Sequence, residues 1–545
     1  MNLLLKSGVI FFLFFAAFAF ACTTPWAFSI LQCGVMGWCV LAACTSRYWY
    51  VTRPLKWITA IMLFMLGFAL LQSCFPSTLL EQVSWHPITL VRLYTLHTAS
   101  LFVTYLALVW LTVQVFPSFS DANRALLLVA LCGGAVALCA ASLPKGAYLF
   151  HLAGVRGGFG PFMNRNHASI FLAMCAVGML AYFFTSHIQY AKKVMSHQLS
   201  SFYIRQCCLA IIFLSLCAGV IFTRSRGGML ALTLGIFTYA FLCCWAIPPQ
   251  LRKKLKGVFL TLIALGIVSA WVGTHIPQIN AFAHRTGGSS EITRKMFYRS
   301  TFRVLQEYPY FGVGISTTPL VIPNYFEWPV KKYVNYLHCD WLELLLGMGY
   351  LGVIPVLMLL IGLGTVFLKR LKKLETKKQI FYSGLLSILV VMCIGSAVDF
   401  DFFIPADAFL FFLVAGLASS PSFFKGHVHL MPMEWQKRLL LTTICLLALW
   451  VPLRKTLAWR MAYFGKGLKP EAKIAAYEKA ASYYPDPRYG LRLAATYYNA
   501  ALHSKQTQQR LIFLQRAHQV ADTYLQKYPK EKELSRIYML TRQYR

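Results

Sequence analysis

"GPFMNRNHASIFL", residues 160–172, sets two asparagines, an arginine and a histidine (Asn164, Arg165, Asn166, His167) directly before an unbroken apolar run. Such a run reads as a helix in a bilayer, and polar groups at its mouth cost free energy unless something satisfies them. Outward from this stretch, long apolar runs alternate with short polar connections over most of the chain. The 545 residues are 58% hydrophobic and only 13% charged, far less polar than a soluble globule requires. With about 20 apolar residues needed to cross a bilayer core, spans centre near residues 12, 36, 66, 106, 134, 176, 215, 238, 266, 358, 389, 412 and 446. The expected fold is an all-α polytopic membrane protein with about thirteen transmembrane helices. Ala19-Phe20-Ala21 resembles a signal-peptide cleavage site; cleavage there would leave the orientation of everything downstream unchanged.

Charge orients the spans, because cytoplasmic connections carry the Lys/Arg excess. Every second connection is basic: Arg47/Arg53/Lys56, Lys192/Lys193/Arg205, Arg252/Lys253/Lys254/Lys256, Lys369 to Lys378, and Lys425/Lys437/Arg438. The formal charge of +34 is thereby explained by an anionic inner leaflet, with no nucleic acid partner. The opposite face holds the loop around 144–166, the turn Thr223-Arg224-Ser225-Arg226-Gly227, a long periplasmic loop over 276–341, and the turn Asp399-Phe400-Asp401. Arg156, Arg165, Arg224, Arg226, Arg285, Arg294, Arg299 and Arg303 collect there against the charge rule. They suit an anionic, membrane-borne ligand, since guanidinium forks match phosphate oxygens. Ordinary headgroup contact is the bland reading for any one of them.

The sixteen cysteines lie mostly inside apolar runs, where Cys is a small hydrophobe, and their spacing suggests no metal site. Cys339, beside His338 at a helix mouth, is the exception. In "NYLHCDWLELLLGMGYLG" (335–352), His338 and Asp340 stand at the entrance of the next span. A histidine there can take a proton near neutral pH; a structural interfacial histidine is the alternative.

Five segments together resemble the O-antigen ligase/polymerase superfamily, which includes bacterial protein O-oligosaccharyltransferases. "GPFMNRNHA" is similar to its F-x-N-x-N-H-x-A signature, and "TRSRGGMLAL" (223–232) to its S-R-G-x-x-L-A segment. "TRKMFYRSTFRVLQEYPYFGVGIST" (293–317) resembles its R-x-x-x-W…P-x-x-G-x-G loop. "LHCDWLELLLGMGYLG" resembles its H-x-D-x-L-x-x-L-x-E-x-G-x-x-G element, and "VDFDFFIPADAFLFFL" (398–413) its D-F-x-x-x-x-P segment. Gly347 stands where the family has Glu, and Phe297 or Tyr298 where it has Trp.

The resemblance implies a metal-independent, cofactor-free glycosyltransferase of the bacterial inner membrane. It would move a glycan from an undecaprenyl-diphosphate carrier to a hydroxyl of lipid A core or of a protein Ser/Thr at the periplasmic face. His338 would be the base. Arg226, Arg294, Arg165, Arg156, Asn164, Asn166, His167 and Asp340 would bind substrate, and the Asp399/Asp401 pair would be structural or would orient a base. Gly227 and Gly228 would let the backbone approach a ligand. An O-antigen or exopolysaccharide polymerase is the second reading. A polysaccharide flippase is a third, disfavoured because the charges gather at span ends rather than near the midplane.

Residues 1–453 thus form the expected transmembrane domain, with the family motifs over 160–415. Residues 454–545 change character, with 18 Lys/Arg against 6 Asp/Glu. "PEAKIAAYEKAASYYPDPRYGLRLAATYYNAAL" has the spacing of tetratricopeptide-like helical hairpins, a protein-binding surface or a simple helical cap. An odd number of spans places this tail outside the membrane, on the side of the long loop.

Overall fold

The computed structural model describes the chain apart from residues 1, 77–85, 144–157, 192–198, 250–256, 258–293, 327–335, 485, 528–531 and 545. In chain order its main helices are α1 (Asn2–Phe18), α2 (Pro25–Thr45), α3 (Arg53–Cys74), α4 (Arg92–Val115), α5 (Phe119–Ser142) and α6 (Arg165–Ala191). Then come α7 (Leu199–Phe222), α8 (Arg226–Ala246), α9 (294–307), α10 (Asp340–Leu371), α11 (Thr376–Val398), α12 (Pro405–Ala418) and α13 (Trp435–Gly465). Among the described residues, ten helices are long and apolar enough to cross a bilayer. The expected centre near 266 lies outside the described residues.

Two of the expected spans are shorter than foreseen. Helix α1 has 17 residues and α12 has 14, against the roughly 20 that a perpendicular crossing needs. The first stops because Phe20, Ala21 and Cys22 adopt left-handed φ of 60°, 51° and 52°, a region that side chains enter only at a cost. The second is cut at its start by the 3₁₀ turn Asp401–Phe403.

Helix α6, which begins in the opening motif, is the hub. It is buried from His167 to Tyr182 and packs against α5, α7, α8 and α11. Small residues permit this, as membrane helices associate through close backbone approach. A Cβ on Gly384 of α11 would stand 2.1 Å from the Ala181 Cβ.

One face of the bundle is clipped by a two-stranded antiparallel pair, β1 (Tyr48–Val51) with β2 (His429–Pro432), in which Trp49 faces Met431. The basic connections carrying Arg47 and Lys425 therefore share a face, as the charge pattern requires. The starts of α6 and α10 meet the 399–404 turn at the other end of the bundle.

Helix α10 is broken at Gly349 (φ 62°, ψ −172°). The segment 309–315 docks into the break: Val313 N donates to Leu346 O at 3.0 Å, Gly314 N to Gly347 O at 3.2 Å, and Tyr350 N to Pro309 O at 2.8 Å. Gln72 Nε2 bonds Gly347 O at 2.7 Å and Phe311 O at 2.9 Å. Freed backbone groups are thus satisfied within the protein, as a membrane interior demands. The break also explains Gly347. A Cβ there would lie 3.0 Å from Ile315 Cα, so any side chain at this position would press on the docked segment.

The last span does not end at 453. Helix α13 runs unbroken to Gly465 and is followed by α14 (Pro470–Tyr483), α15 (Pro487–His503), α16 (Thr507–Lys527) and α17 (Lys532–Thr541). These pack in sequence order as helical hairpins. Their buried core of alanines and tyrosines also takes in Leu93, Tyr94 and Leu96 at the start of α4. The Tyr94 and Tyr484 rings stack at 5.7 Å. Arg454 fastens the hairpin to α13 by donating to Tyr483 O at 2.8 Å and Ser482 O at 3.0 Å.

Candidate active site

His338 sits immediately before Cys339, the N-cap of α10, with a left-handed φ of 55°. A non-glycine residue held there is strained, and such strain persists where surrounding structure over-determines the conformation. Three contacts do so. His338 Nδ1 donates to Asp399 Oδ1 at 2.8 Å. The Phe297 ring lies parallel to the imidazole, 1° from coplanar at 6.4 Å, and the Phe400 ring meets it edge-on at 5.1 Å. Phe297 thus fills the aromatic position of the loop motif. The imidazole is 37% exposed, and Nε2 has no partner among the described residues.

Asp399 is buried and fully engaged. Its Oδ1 also accepts from Phe400 N at 3.0 Å, and its Oδ2 from Asn166 Nδ2 at 2.9 Å. Burial works against its charge, but the His338 hydrogen bond, the charges of His167 and His338 and the Asn166 hydrogen bond together hold it at about 2. It is therefore an anion at any physiological pH. It orients His338 with Nδ1 protonated and Nε2 free to accept, the arrangement a general base needs.

The opening motif is tied to this turn. Asn164 Oδ1 accepts from Asn166 N at 2.9 Å and so holds the helix start. Asn166 reaches Asp399, and His167, 2% exposed, places Nδ1 2.7 Å from Asp401 Oδ1. Asn164 and His167 line a small pocket of about 170 Å³ that shares Met163 and Phe400 with the wall of a larger cavity. Asp340 is turned inward as well: its Oδ2 accepts from Phe402 N at 2.9 Å. Asn166, His167 and Asp340, expected to bind substrate, each bond the 399–402 turn. These bonds tie α6 and α10 to the turn.

The two glycines of the S-R-G turn are also spent on packing. A Cβ on Gly228 would stand 2.0 Å from Ser169 Oγ, and one on Gly227 would lie 3.0 Å from Val398 Cγ2. They bring α8 against α6 and α11 rather than a ligand against the backbone. That packing sets Arg226, an exposed residue, beside the end of α11 that carries Asp399. Arg165, half-buried, lies beside Arg224. Arg294 begins α9 one turn before Tyr298, whose phenol is pushed up by burial and by neighbouring Cys339 and Asp399, while Arg294 opposes. Arg294 thus stands on the His338 side of the molecule. Arg156 lies outside the described residues.

His338 lines a cavity of about 850 Å³, within the range of small-molecule sites. Its far wall belongs to the tail and to α13: Trp459, Tyr463, Tyr484, Tyr489 and Arg492. Glu343 lines it too, accepting from Leu337 N at 2.7 Å and from the Thr318 hydroxyl. Sequence reasoning missed Glu343, although a lone acid in an apolar span is itself a signal.

Among the described residues, one buried group could hold a metal ion: His167, Asp401 and Asp407, with ligand atoms all within 4.8 Å of one another. His167 Nε2, Asp401 Oδ2 and both Asp407 oxygens have no hydrogen-bond partner. Asp407 carried no weight in the sequence reading, because its neighbours spell an ordinary apolar helix.

Residues 210–357 match a family model described as O-Antigen ligase. That stretch contains Arg226, Arg294, His338 and Asp340, while Asn166 and Asp399 lie on either side of it. No curated protein matches the chain.

Proposed function

We propose that this chain, whose residues 210–357 match the O-Antigen ligase family model, is a member of the O-antigen ligase superfamily and transfers a glycan from an undecaprenyl-diphosphate carrier to an acceptor hydroxyl at the outer face of the bacterial inner membrane. The observation that supports this most is His338, strained, oriented by an ionised Asp399 and open to the cavity through Nε2. In the proposed step His338 Nε2 takes the acceptor's hydroxyl proton while the oxygen attacks the anomeric carbon. The bond from that carbon to the phosphate oxygen breaks, and its electron pair leaves with polyprenyl diphosphate. Arg226 and Arg294, with Arg165 and Arg156, hold the diphosphate and stabilise the charge that grows on it, so their effect is larger in the transition state than in the ground state. No metal takes part in this scheme.

The cavity supports a glycan-bearing acceptor, because its aromatic wall offers flat apolar faces beside polar groups, which is what sugar rings present in return. The same chemistry with a carrier-linked chain as acceptor is a polymerase. Residues 454–545 are read as tetratricopeptide-like hairpins that close the site over the acceptor.

The test is glycan transfer by full-length protein in membranes, with a defined undecaprenyl-diphosphate donor and EDTA present. His338→Ala should lose about 10²–10⁴ in rate while the protein accumulates and still binds donor. Activity within a few-fold of the wild type would remove His338 as the base, and loss of wild-type activity in EDTA would remove the metal-free scheme. Products lengthening by repeat units would select the polymerase.

A further inference from the structure

The cations expected to meet the donor do not line the large cavity; a different set does. Lys455, in the last stretch of α13, and Arg492, on α15, both face it. The Lys455 ammonium is 3.3 Å from His97 Nε2 and 5.9 Å from the centre of the Tyr484 ring, and no carboxylate lies within ion-pair distance among the described residues. Its helix segment is packed inward, not toward lipid: Thr456 Oγ1 donates to Pro25 O at 2.9 Å, and Ser29 Oγ to Pro452 O at 3.1 Å. Nearby Arg488 is already neutralised by Asp486, with Nε 2.8 Å and Nη2 2.5 Å from the carboxylate. That leaves Lys455, Arg492 and the exposed Lys466 as cations with a cavity in front of them, of which Lys455 is the one packed into the fold. A half-buried ammonium beside an imidazole and a phenol ring, attracted by an Asp486 that Arg488 already occupies, is costly unless a further anion completes it.

We propose that this tail-side wall is a subsite for an acidic sugar of the acceptor, with Lys455 and Arg492 binding its carboxylate or phosphate and the rings of Tyr484 and Tyr489 flanking the sugar. The inference rests on the transfer reading above and adds where and how the acceptor binds. His338 then stands between the two substrates, with the arginine group on one side and the tail-side cations on the other. Charge-assisted hydrogen bonds from the tail would select acidic acceptors and set their hydroxyl toward Nε2.

The probes are octyl glucuronide, octyl glucoside 6-phosphate and octyl glucoside, with binding followed through cavity tryptophan fluorescence. The protein is the full chain in phosphatidylcholine nanodiscs. The acidic probes should bind at least tenfold more tightly than the neutral one, and whichever acid binds better names the anion. Lys455→Met with Arg492→Gln should reduce the preference to under threefold, while undecaprenyl diphosphate binding stays unchanged. Should the double variant fail to accumulate, Arg492→Gln alone, at an exposed site, should still halve the preference, and Lys455→Arg should retain it. No preference in the wild type, or full preference in the variants, overturns the proposal. So does displacement of charged and neutral probes alike by phosphatidylglycerol, which would assign the cations to a lipid headgroup. Because binding is read without turnover, the subsite can fail while His338-dependent transfer stands, and the reverse.

Discussion

At the scale of single residues, the site is two histidine–aspartate pairs separated by one ring. His338–Asp399 faces the cavity, His167–Asp401 is buried, and Phe400 touches both imidazoles, at 5.1 and 4.6 Å. Asp399→Asn should keep the shape but lose the charge that sets the tautomer of His338, so kcat should fall by about 10²-fold or more with donor KM unchanged. The pH dependence follows from the sign of the shift. Asp399 sits at about 2 in the fold against an ordinary 3.8, so its ionised form stabilises the native state above that ordinary value. This contribution is lost as pH falls toward 2. The Tm gap between wild type and Asp399→Asn should therefore be full at pH 6 and narrow by pH 3; a constant gap would mean that the aspartate contributes shape alone. Arg226 tests geometry against charge. If it grips the diphosphate as a bidentate fork, Arg226→Lys should be nearly as inactive as Arg226→Ala. Full activity of the lysine variant would reduce Arg226 to a generic surface charge.

At the scale of elements, close helix approach places these residues. Helix α6 carries Asn166 and His167, α11 leads into Asp399, and Gly384 against Ala181 lets the two lie together. Gly384→Val should therefore lower accumulation and detergent stability, because overpacking costs about 1–3 kcal/mol or more. Pairing it with Ala181→Gly should restore part of the loss. Equal damage in single and double variants would show that the contact is not what limits the site. The break in α10 acts similarly: it gives 309–315 a backbone ladder to dock on, and α9 with Phe297 precedes that segment directly.

At the scale of the whole molecule, the described basic connections that carry Arg47 and Lys425 lie at the β1–β2 end, and His338, Arg226 and the tail side of the cavity lie at the other. On the proposed reading, the +34 charge serves membrane orientation at one end and the donor at the other. Cysteine labelling in intact cells, on a background without exposed cysteines, checks this. Lys505→Cys should react with an impermeant maleimide from outside, and Lys425→Cys only after the inner membrane is opened. The reverse pattern would place the site in the cytoplasm and end the periplasmic reading.

The apolar runs made the helical membrane class and most of the span centres among the described residues readable from sequence. Each of these is set by the local free energy of moving a side chain between water, interface and hydrocarbon. His338 was legible for the same reason, as a titratable group at a helix mouth within a family motif. What required the tertiary structure was the partner of each polar group. Asn166 and Asp399 are 233 residues apart, and His338 and Asp399 are 61; a motif names such residues but does not say which bonds which. Asn166, His167 and Asp340 carried the chemistry of ligand binding in sequence, and only the packing shows that each also bonds the 399–402 turn, as buried polar groups generally find partners. Gly227 and Gly228 likewise looked like a ligand approach and proved to be helix contacts. The tail's entry into the cavity had no sequence signal, since it depends on where α13 ends and which face of its hairpins meets α4.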